Sequence, residues 1–279
     1  MKSIKIVTDS AVHLSPADVH NYGIKVLNPP ILIDGKLFGY VNKITSEKFL
    51  QLFDKCTVKP TIGDITVPEL VAAYDELGKD GSQIISIHLS DKLTSTYRNA
   101  AIAAEQSTSD ITVINSEVTA AGLAYQVLAA AKAIARGKSV TAIADQLTQI
   151  RQRTQIFFSV QNNPQLVNRK IIGKIRGMVD KQLNVSYILA FANNDFSFVT
   201  RSRKEELINK FWETRLAEMH NQCIVRLSIL HSGSDSRARF LYDMLTQEFP
   251  FVPISIVATN PEMATFIGPE STGVTYLLG

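Results

Sequence analysis

Cysteine is scarce in this chain: Cys56 and Cys223 are the only two in 279 residues. Their separation gives no support to a disulfide framework or a paired-cysteine metal knuckle, so both are expected as buried thiols and no metal is expected. Long apolar runs are also absent. None approaches the length of about 18 residues that a membrane-spanning helix needs. Nor is there a strong excess of one charge: 29 Lys and Arg stand against 26 Asp and Glu, dispersed along the chain. That balance lacks the basic stripe of a nucleic-acid binder. The opening "MKSIKIVTDS" has a charge inside a very short apolar run and no hydrophobic signal region. It is read as a first strand, and a cytoplasmic location is expected.

The familiar catalytic signatures are missing too. The sequence has no glycine-rich phosphate loop, no nucleophile elbow and no His-Glu pair at metal spacing. Its histidines, His13, His20, His88, His220 and His231, are scattered. A lone histidine such as His88, at the end of an apolar strand, reads as an ordinary core or loop residue. No acid–base constellation assembles from spacing alone, and no cofactor is implied.

What is present is a globular composition, 45% hydrophobic and 20% charged, long enough for two lobes of roughly 130 to 150 residues. Residues 1–152 alternate short β-rich runs with helical stretches. Ser15-Pro16 marks a helix start, Asp34-Gly35 a tight hairpin turn, and Thr66 with Glu69 a capping box. Strands "IISIHL" and "ITVIN" flank a helix beginning in the "TST" triplet, and the long helix "AGLAYQVLAAAKAIAR" closes at Gly137. Strands separated by helices of this length imply parallel β-α-β crossovers in an α/β lobe. Residues 153–279 change rhythm. Two antiparallel strands join at Asn193-Asn194-Asp195, then helices alternate with strands, which reads as α+β.

Hydroxyl and carboxyl side chains recur where parallel strands should end: Asp9 and Ser10, Thr61, the run Thr94, Ser95, Thr96, and Ser116. The carboxyl ends of parallel strands are where such sheets bind ligands, so these residues form a candidate polar rim. Three hydroxyls opening a helix would add side-chain donors beside unpaired backbone N–H groups, a setting that suits an anion. Taken singly, each is an ordinary cap or turn residue.

Five segments in order resemble the DegV family, which includes the fatty-acid-binding subunits of bacterial fatty acid kinases. They are "KIVTDSAVHLSPADVHNYGIKVLNPPILIDGKLF", "KPTIGDITVPELVAAY", "ISIHLSDKLTSTYRNA", "VINSEVTAAGLAYQVLAAAKAIARGKS" and "FIGPESTGVTYLLG". The resemblance implies a parallel-sheet α/β lobe, an α+β lobe and an apolar ligand tunnel between the two. It implies a long-chain fatty acid whose carboxylate meets Thr61 and Thr94, and a separate kinase that phosphorylates it. The chain departs from the pattern at several places. Phe266 stands at the family's histidine, Glu270 at the glycine after Gly268-Pro269, and Ser95 at a glycine of the hydroxyl loop. Ile62-Gly63 replaces Ser-Gln, and Asn168-Arg169-Lys170-Ile171 replaces Gly-Gly-Arg-Ile. Phe266 removes a ring N–H donor, and Glu270 adds negative charge.

The expected function is therefore non-catalytic binding and presentation of an acyl lipid. Two other readings stay open: a protein-interaction module, and a hydrolase or phosphotransferase using the hydroxyl-lined cleft. Local basic clusters offer a solvated face or a docking face for a kinase subunit, with Arg169, Lys170, Arg201 and Arg203 as its contacts.

Overall fold

The structure, a computed structural model, describes residues 3–161 and 185–279. Contacts divide the chain into two compact units: residues 1–44 with 58–152, and residues 45–57 with 153–279. Residues 45–57, counted with the first lobe on sequence grounds, thus cluster with the second. Arg169 and Lys170 lie outside the described residues.

In the first unit, strands β1 (Ile4–Asp9), β2 (Lys25–Leu27), β6 (Gln83–His88) and β7 (Asp110–Asn115) form a parallel sheet in the order β2-β1-β6-β7. A second sheet is antiparallel and holds β3 (Pro30–Ile33) between β4 (Lys36–Tyr40) and β5 (Thr61–Ile62). Local chemistry sets many of the boundaries. Helix α1 (Pro16–Asn21) starts where the Ser15 hydroxyl accepts the Asp18 N–H, with proline at the first position. The β3–β4 turn uses Asp34 and Gly35, both at positive φ. At α3 (Val67–Gly78) the capping box closes in both directions, Thr66 with the backbone of Glu69 and Glu69 with the backbone of Thr66. Apolar faces of β1, α3, β6 and helix α4 (Thr96–Gln106) meet in a core containing Val7, Leu70, Tyr74, Ile84 and Ala100. Helix α5 (Ala121–Ala135) is mostly buried, and α6 (Val140–Arg153) ends the unit.

The α4 boundary differs from expectation. The helix starts at Thr96 rather than Thr94, because the Thr94 N–H turns back to the Ser90 carbonyl, while Asn99 N–H makes the first helical bond to Ser95 O. Thr94 belongs to the preceding turn.

The second unit is built on a mixed six-stranded sheet. Its strands are β8 (Thr154–Gln161), β9 (Ser186–Ala192), β10 (Asp195–Ser202), β11 (Ile224–Ser232), β12 (Ile254–Ala258) and β13 (Ser271–Leu278), ordered β10-β9-β8-β13-β11-β12. Only β11 and β12 run parallel; the other neighbours are antiparallel. The β9–β10 turn sits at Asn193 and Asn194, both with positive φ. Helices α7 (Glu205–His220) and α8 (Ser236–Glu248) contribute Ile208, Trp212, Leu241 and Leu245 to a core with Phe157, Leu227 and Tyr276. The Arg215 guanidinium lies 4.4 Å from the Phe157 ring centroid, so its charge is held against an aromatic face. Helix α2 (Ser46–Lys55) packs on α9 (Pro261–Ile267), and the Ser46 hydroxyl donates to the Thr259 carbonyl.

The thiols depart from expectation. Cys56 is part-buried and Cys223 exposed. Cys223 sits in the polar approach "HNQC" just before β11, outside the apolar core of that strand.

Candidate functional site

Of the rim residues, Asp9, Ser10, the run Thr94 to Thr96 and Ser116 follow the carboxyl ends of β1, β6 and β7, whereas Thr61 lies on β5 of the other sheet. In the parallel register Thr8 pairs with Ile87 and His88 with Asn115, so Asp9, His88 and Ser116 converge although far apart in sequence. Asp9 is 1% exposed and His88 and Ser86 are 0% exposed, so their hydrogen bonds have no competition from bulk water.

Asp9 Oδ2 accepts the Leu89 N–H at 2.8 Å and lies 3.3 Å from His88 Nδ1. His88 Nε2 is 2.7 Å from Ser86 Oγ, which accepts the Tyr74 hydroxyl at 2.8 Å. Burial pushes the Tyr74 phenol up to about 12, with the Ser86 hydrogen bond pulling the other way, so the phenol stays a donor. Proton placement follows. Tyr74 donates to Ser86, Ser86 donates to Nε2, and the ring N–H at Nδ1 donates to Asp9. The opposite tautomer would face a ring lone pair toward a carboxylate. Asp9 Oδ1 is buried with no partner. The Ser86–His88–Asp9 order is that of an acyl-transfer triad. Ser86, however, lies inside β6 with no exposed surface, and its oxygen already accepts Tyr74.

From Leu89 the chain enters the hydroxyl loop, which is tied at several points. Ser90 N–H donates to Val118 O, and Ser90 O accepts both Leu93 N–H and Thr94 N–H. Asn115 Nδ2 donates to Asp91 Oδ1 at 2.8 Å, and Arg98 Nη2 to Asp91 O at 3.0 Å. Ser95 N–H donates to Asp64 Oδ1 at 2.9 Å. That last bond joins the loop to the "KPTIGD" segment, three residues beyond Thr61. Thr61 itself is exposed on β5. Ser95 makes no side-chain cap, and Thr96 is buried in α4. Of the three hydroxyls, Thr94 stands apart: its Oγ1 is buried and has no partner. Ser116 Oγ turns inward to its own loop, 3.4 Å from Val118 N and O, and Ser10 opens a short 3-10 turn.

The second unit holds the other candidates. Phe266 is fully buried in α9, all seven residues of which are buried. Gly268 ends that helix at φ 77, a conformation that favours glycine. Glu270 takes φ 53, unusual for a residue with a side chain, and its Oε1 accepts the Ser234 N–H at 3.3 Å. Glu270 borders a polar cavity of about 420 Å³ shared with Gln161, Asn209, Arg237 and Thr272. Arg237 spans it, donating to Glu205 at 2.9 Å and to Ser159 at 3.2 Å. Arg201 and Arg203 are exposed at the end of β10. Among the described residues no cluster of side chains is arranged for a metal ion, and no helix is long and apolar enough to cross a membrane.

Sequence reasoning gave His88 an ordinary role and missed Tyr74, Ser86 and Asp64. One signal was available: Ser86 and His88 are two apart on a strand and share a face, beside a neighbouring strand that ends in Asp9.

Together these features define a class: an α/β protein of two compact units, with preset polar groups at the carboxyl edge of its parallel sheet. The chain belongs to the DegV family, whose model matches residues 3–278. A DegV domain-containing protein of Streptococcus pneumoniae is 27% identical over 274 residues, 98% of either chain. Among solved structures, DegV of Bacillus subtilis, described as a fatty acid binding protein, superposes with a TM-score of 0.89 at 22% identity over the whole of both chains. A fatty-acid-binding DegV family protein of Thermus thermophilus gives 0.88 at 21% identity, again over both whole chains.

Proposed function

We propose that this protein binds a long-chain fatty acid non-catalytically, with Thr94 as a donor to the ligand's head, and presents it to a partner kinase in the cytoplasm. The observation that carries the reading is the Thr94 hydroxyl. It is a buried group with no partner, in a loop whose backbone is otherwise tied, within a family whose solved members include proteins described as fatty acid binding. An unpartnered buried hydroxyl costs about 1–3 kcal/mol, which a ligand acceptor would recover. The driving force lies in the tail. A chain of about 16 carbons at roughly 0.8 kcal/mol per buried CH₂ supplies on the order of 12 kcal/mol before the costs of association.

Phe266 has no hydrogen-bonding atom, so this reading assigns the head to neutral hydroxyls alone, Thr94 with Thr61 as the second. A neutral hydrogen bond suffices to orient a ligand whose affinity comes from its tail. For the kinase, exposed Arg201 and Arg203 are the contacts this reading uses, and such contacts raise association rate and fade with salt.

Native mass spectrometry of the purified protein, followed by organic extraction, tests the proposal. One fatty acid per chain is the expected result, and Thr94→Ala should lower its retention several-fold with an unchanged unfolding midpoint. An empty chain that takes up no added oleate would favour an interaction module instead. Turnover of an acyl ester would make the protein an enzyme.

A further inference from the structure

The buried chain of hydrogen bonds through Tyr74, Ser86, His88 and Asp9 is used by no step of the binding reading, yet it ends on the first residue of the loop that carries Thr94. We propose that Asp9 and His88 are positioning residues for this loop: they set the placement of the Thr94 hydroxyl through the Leu89 N–H and do not contact the ligand. The inference rests on the fatty-acid-binding reading and assigns the residues that tune it.

Four observations converge. First, Leu89 follows β6 directly, is fully buried, and gives its N–H to Asp9 Oδ2 at 2.8 Å. Second, Leu89 and Thr94 are linked by a compact turn. Ser90 O accepts Leu93 N–H at 3.0 Å and Thr94 N–H at 3.3 Å, and Ser90 Oγ accepts Lys92 N–H at 3.2 Å. A shift of Leu89 therefore moves Ser90, and Ser90 carries Thr94 with it. Third, the far side of the turn is held from a different direction, by Asp64 on the Ser95 N–H. With that end fixed, the Asp9 anchor acts on the start of the turn, beside the bonds of Ser90 N–H to Val118 O and of Asp91 to Asn115 and Arg98.

Fourth, the anchor is asymmetric. Both donors reach Oδ2, while Oδ1 is buried without a partner, so nothing on the Oδ1 side fixes the carboxylate's rotation. That rotation is set by the two bonds to Oδ2, from the Leu89 N–H at 2.8 Å and from His88 Nδ1 at 3.3 Å. The His88 ring is in turn oriented by Ser86 at 2.7 Å, and Ser86 by Tyr74 at 2.8 Å. With the site closed to water, a missing link cannot be replaced by solvent, and the disturbance passes along the chain. The predicted direction of donation, Tyr74 to Ser86 to Nε2 and Nδ1 to Asp9, makes the tautomer of His88 a reporter of the whole arrangement.

Asp9→Asn is the informative change because it keeps shape and removes one property. An amide oxygen in the place of Oδ2 still accepts both the Leu89 N–H and the Nδ1–H, but without the charge that strengthens both bonds, while the NH₂ takes the unpartnered place of Oδ1. The imidazole proton should then stay on Nδ1 while the anchor weakens.

The experiment is a double-mutant cycle with oleate as the probe, using wild type, Asp9→Asn, Thr94→Ala and the double variant. Binding is measured by calorimetry, and the His88 tautomer is read from imidazole ¹⁵N shifts. The expected result has two parts: Asp9→Asn weakens oleate binding about tenfold in the presence of Thr94 and has little effect in its absence. The His88 proton is on Nδ1 in wild type and remains there in Asp9→Asn. An Asp9→Asn penalty of the same size with and without Thr94, or no penalty at all, overturns the proposal, because a general loss of stability would not depend on one hydroxyl. Should Asp9→Asn fail to fold, Tyr74→Phe removes a single oxygen at the far end. It should weaken binding about threefold, again only when Thr94 is present. Wild type that takes no oleate would sink the binding reading itself. An Nε2–H tautomer in wild type would overturn the positioning chain whatever the protein binds.

Discussion

The two units each contain parallel strands whose carboxyl ends carry hydroxyl residues, and they hold those ends in opposite ways. At the edge of β1 and β6 the backbone is fixed by directed polar bonds to Asp9 and Asp64, and the Asp91 side chain is held by Asn115. At the edge of β11 and β12 the following segment is the wholly buried α9, and the hydroxyls of Ser232 and Thr259 are buried without partners. Polar bonds define direction, and the proposed binding reading puts the ligand's head at this edge. Apolar packing defines volume, so the second resists compression and cavities, while both edges leave buried polar atoms without partners, Asp9 Oδ1 and Thr94 Oγ1 at the first and Ser232 Oγ and Thr259 Oγ1 at the second.

The contrast is sharpest at Phe266. A fully buried aromatic ring removed from a packed helix costs about 3–5 kcal/mol, so Phe266→Ala should lower the urea midpoint substantially. A small change would mean that α9 is not held by packing.

A smaller effect belongs to the first edge and depends on pH. Burial of the His13 ring lowers its pKa from 6.5 to about 4, against the raising influence of its bond to the Ala11 carbonyl and of the nearby Asp9 charge. Between those values the unfolded chain binds the proton and the folded chain does not. His13 therefore contributes full stability above 6.5, and that contribution falls away as pH drops through 6.5 toward 4. The ring keeps some exposed surface, so the loss is on the order of 1–3 kcal/mol. Equilibrium unfolding of wild type and His13→Gln across this range checks it. An equal slope in both proteins would remove His13 as the cause.

The smallest effect is expected at the second edge. Ser232→Ala and Thr259→Val delete hydroxyls that have no partner, and each should change unfolding free energy by no more than about 0.5 kcal/mol, or stabilise the protein. A loss above about 1 kcal/mol in either variant would show that these hydroxyls are satisfied and that the two edges are built alike.

Local features were legible because their causes are local. The caps at Ser15 and Thr66 and the turns at Asp34-Gly35 and Asn193-Asn194 each depend on residues within a few positions. The start of α4 was misplaced by two residues, because nothing in "TST" tells which hydroxyl residue turns back to Ser90. The candidate site was legible only in part. Thr94 stands out in sequence and in structure, whereas the role of His88 depends on Asp9, 79 positions away.

By itself the sequence determined the alternation of strands and helices in residues 1–152, the change of rhythm after them, and the polar residues that follow strands, since period and turn chemistry are read over short windows. Three other matters were settled by packing and strand register alone. Folding placed β13 between β8 and β11, where the absence of a side chain at Gly273 leaves room for the Phe158 ring, which would lie 2.7 Å from an added Cβ. It brought Asp9 beside His88 through the register of two parallel strands. It also determined which single hydroxyl of the Thr94 run is left without a partner. Strand order, register and hydrogen-bond satisfaction depend on residues distant along the chain, and no short window contains both partners of such a contact.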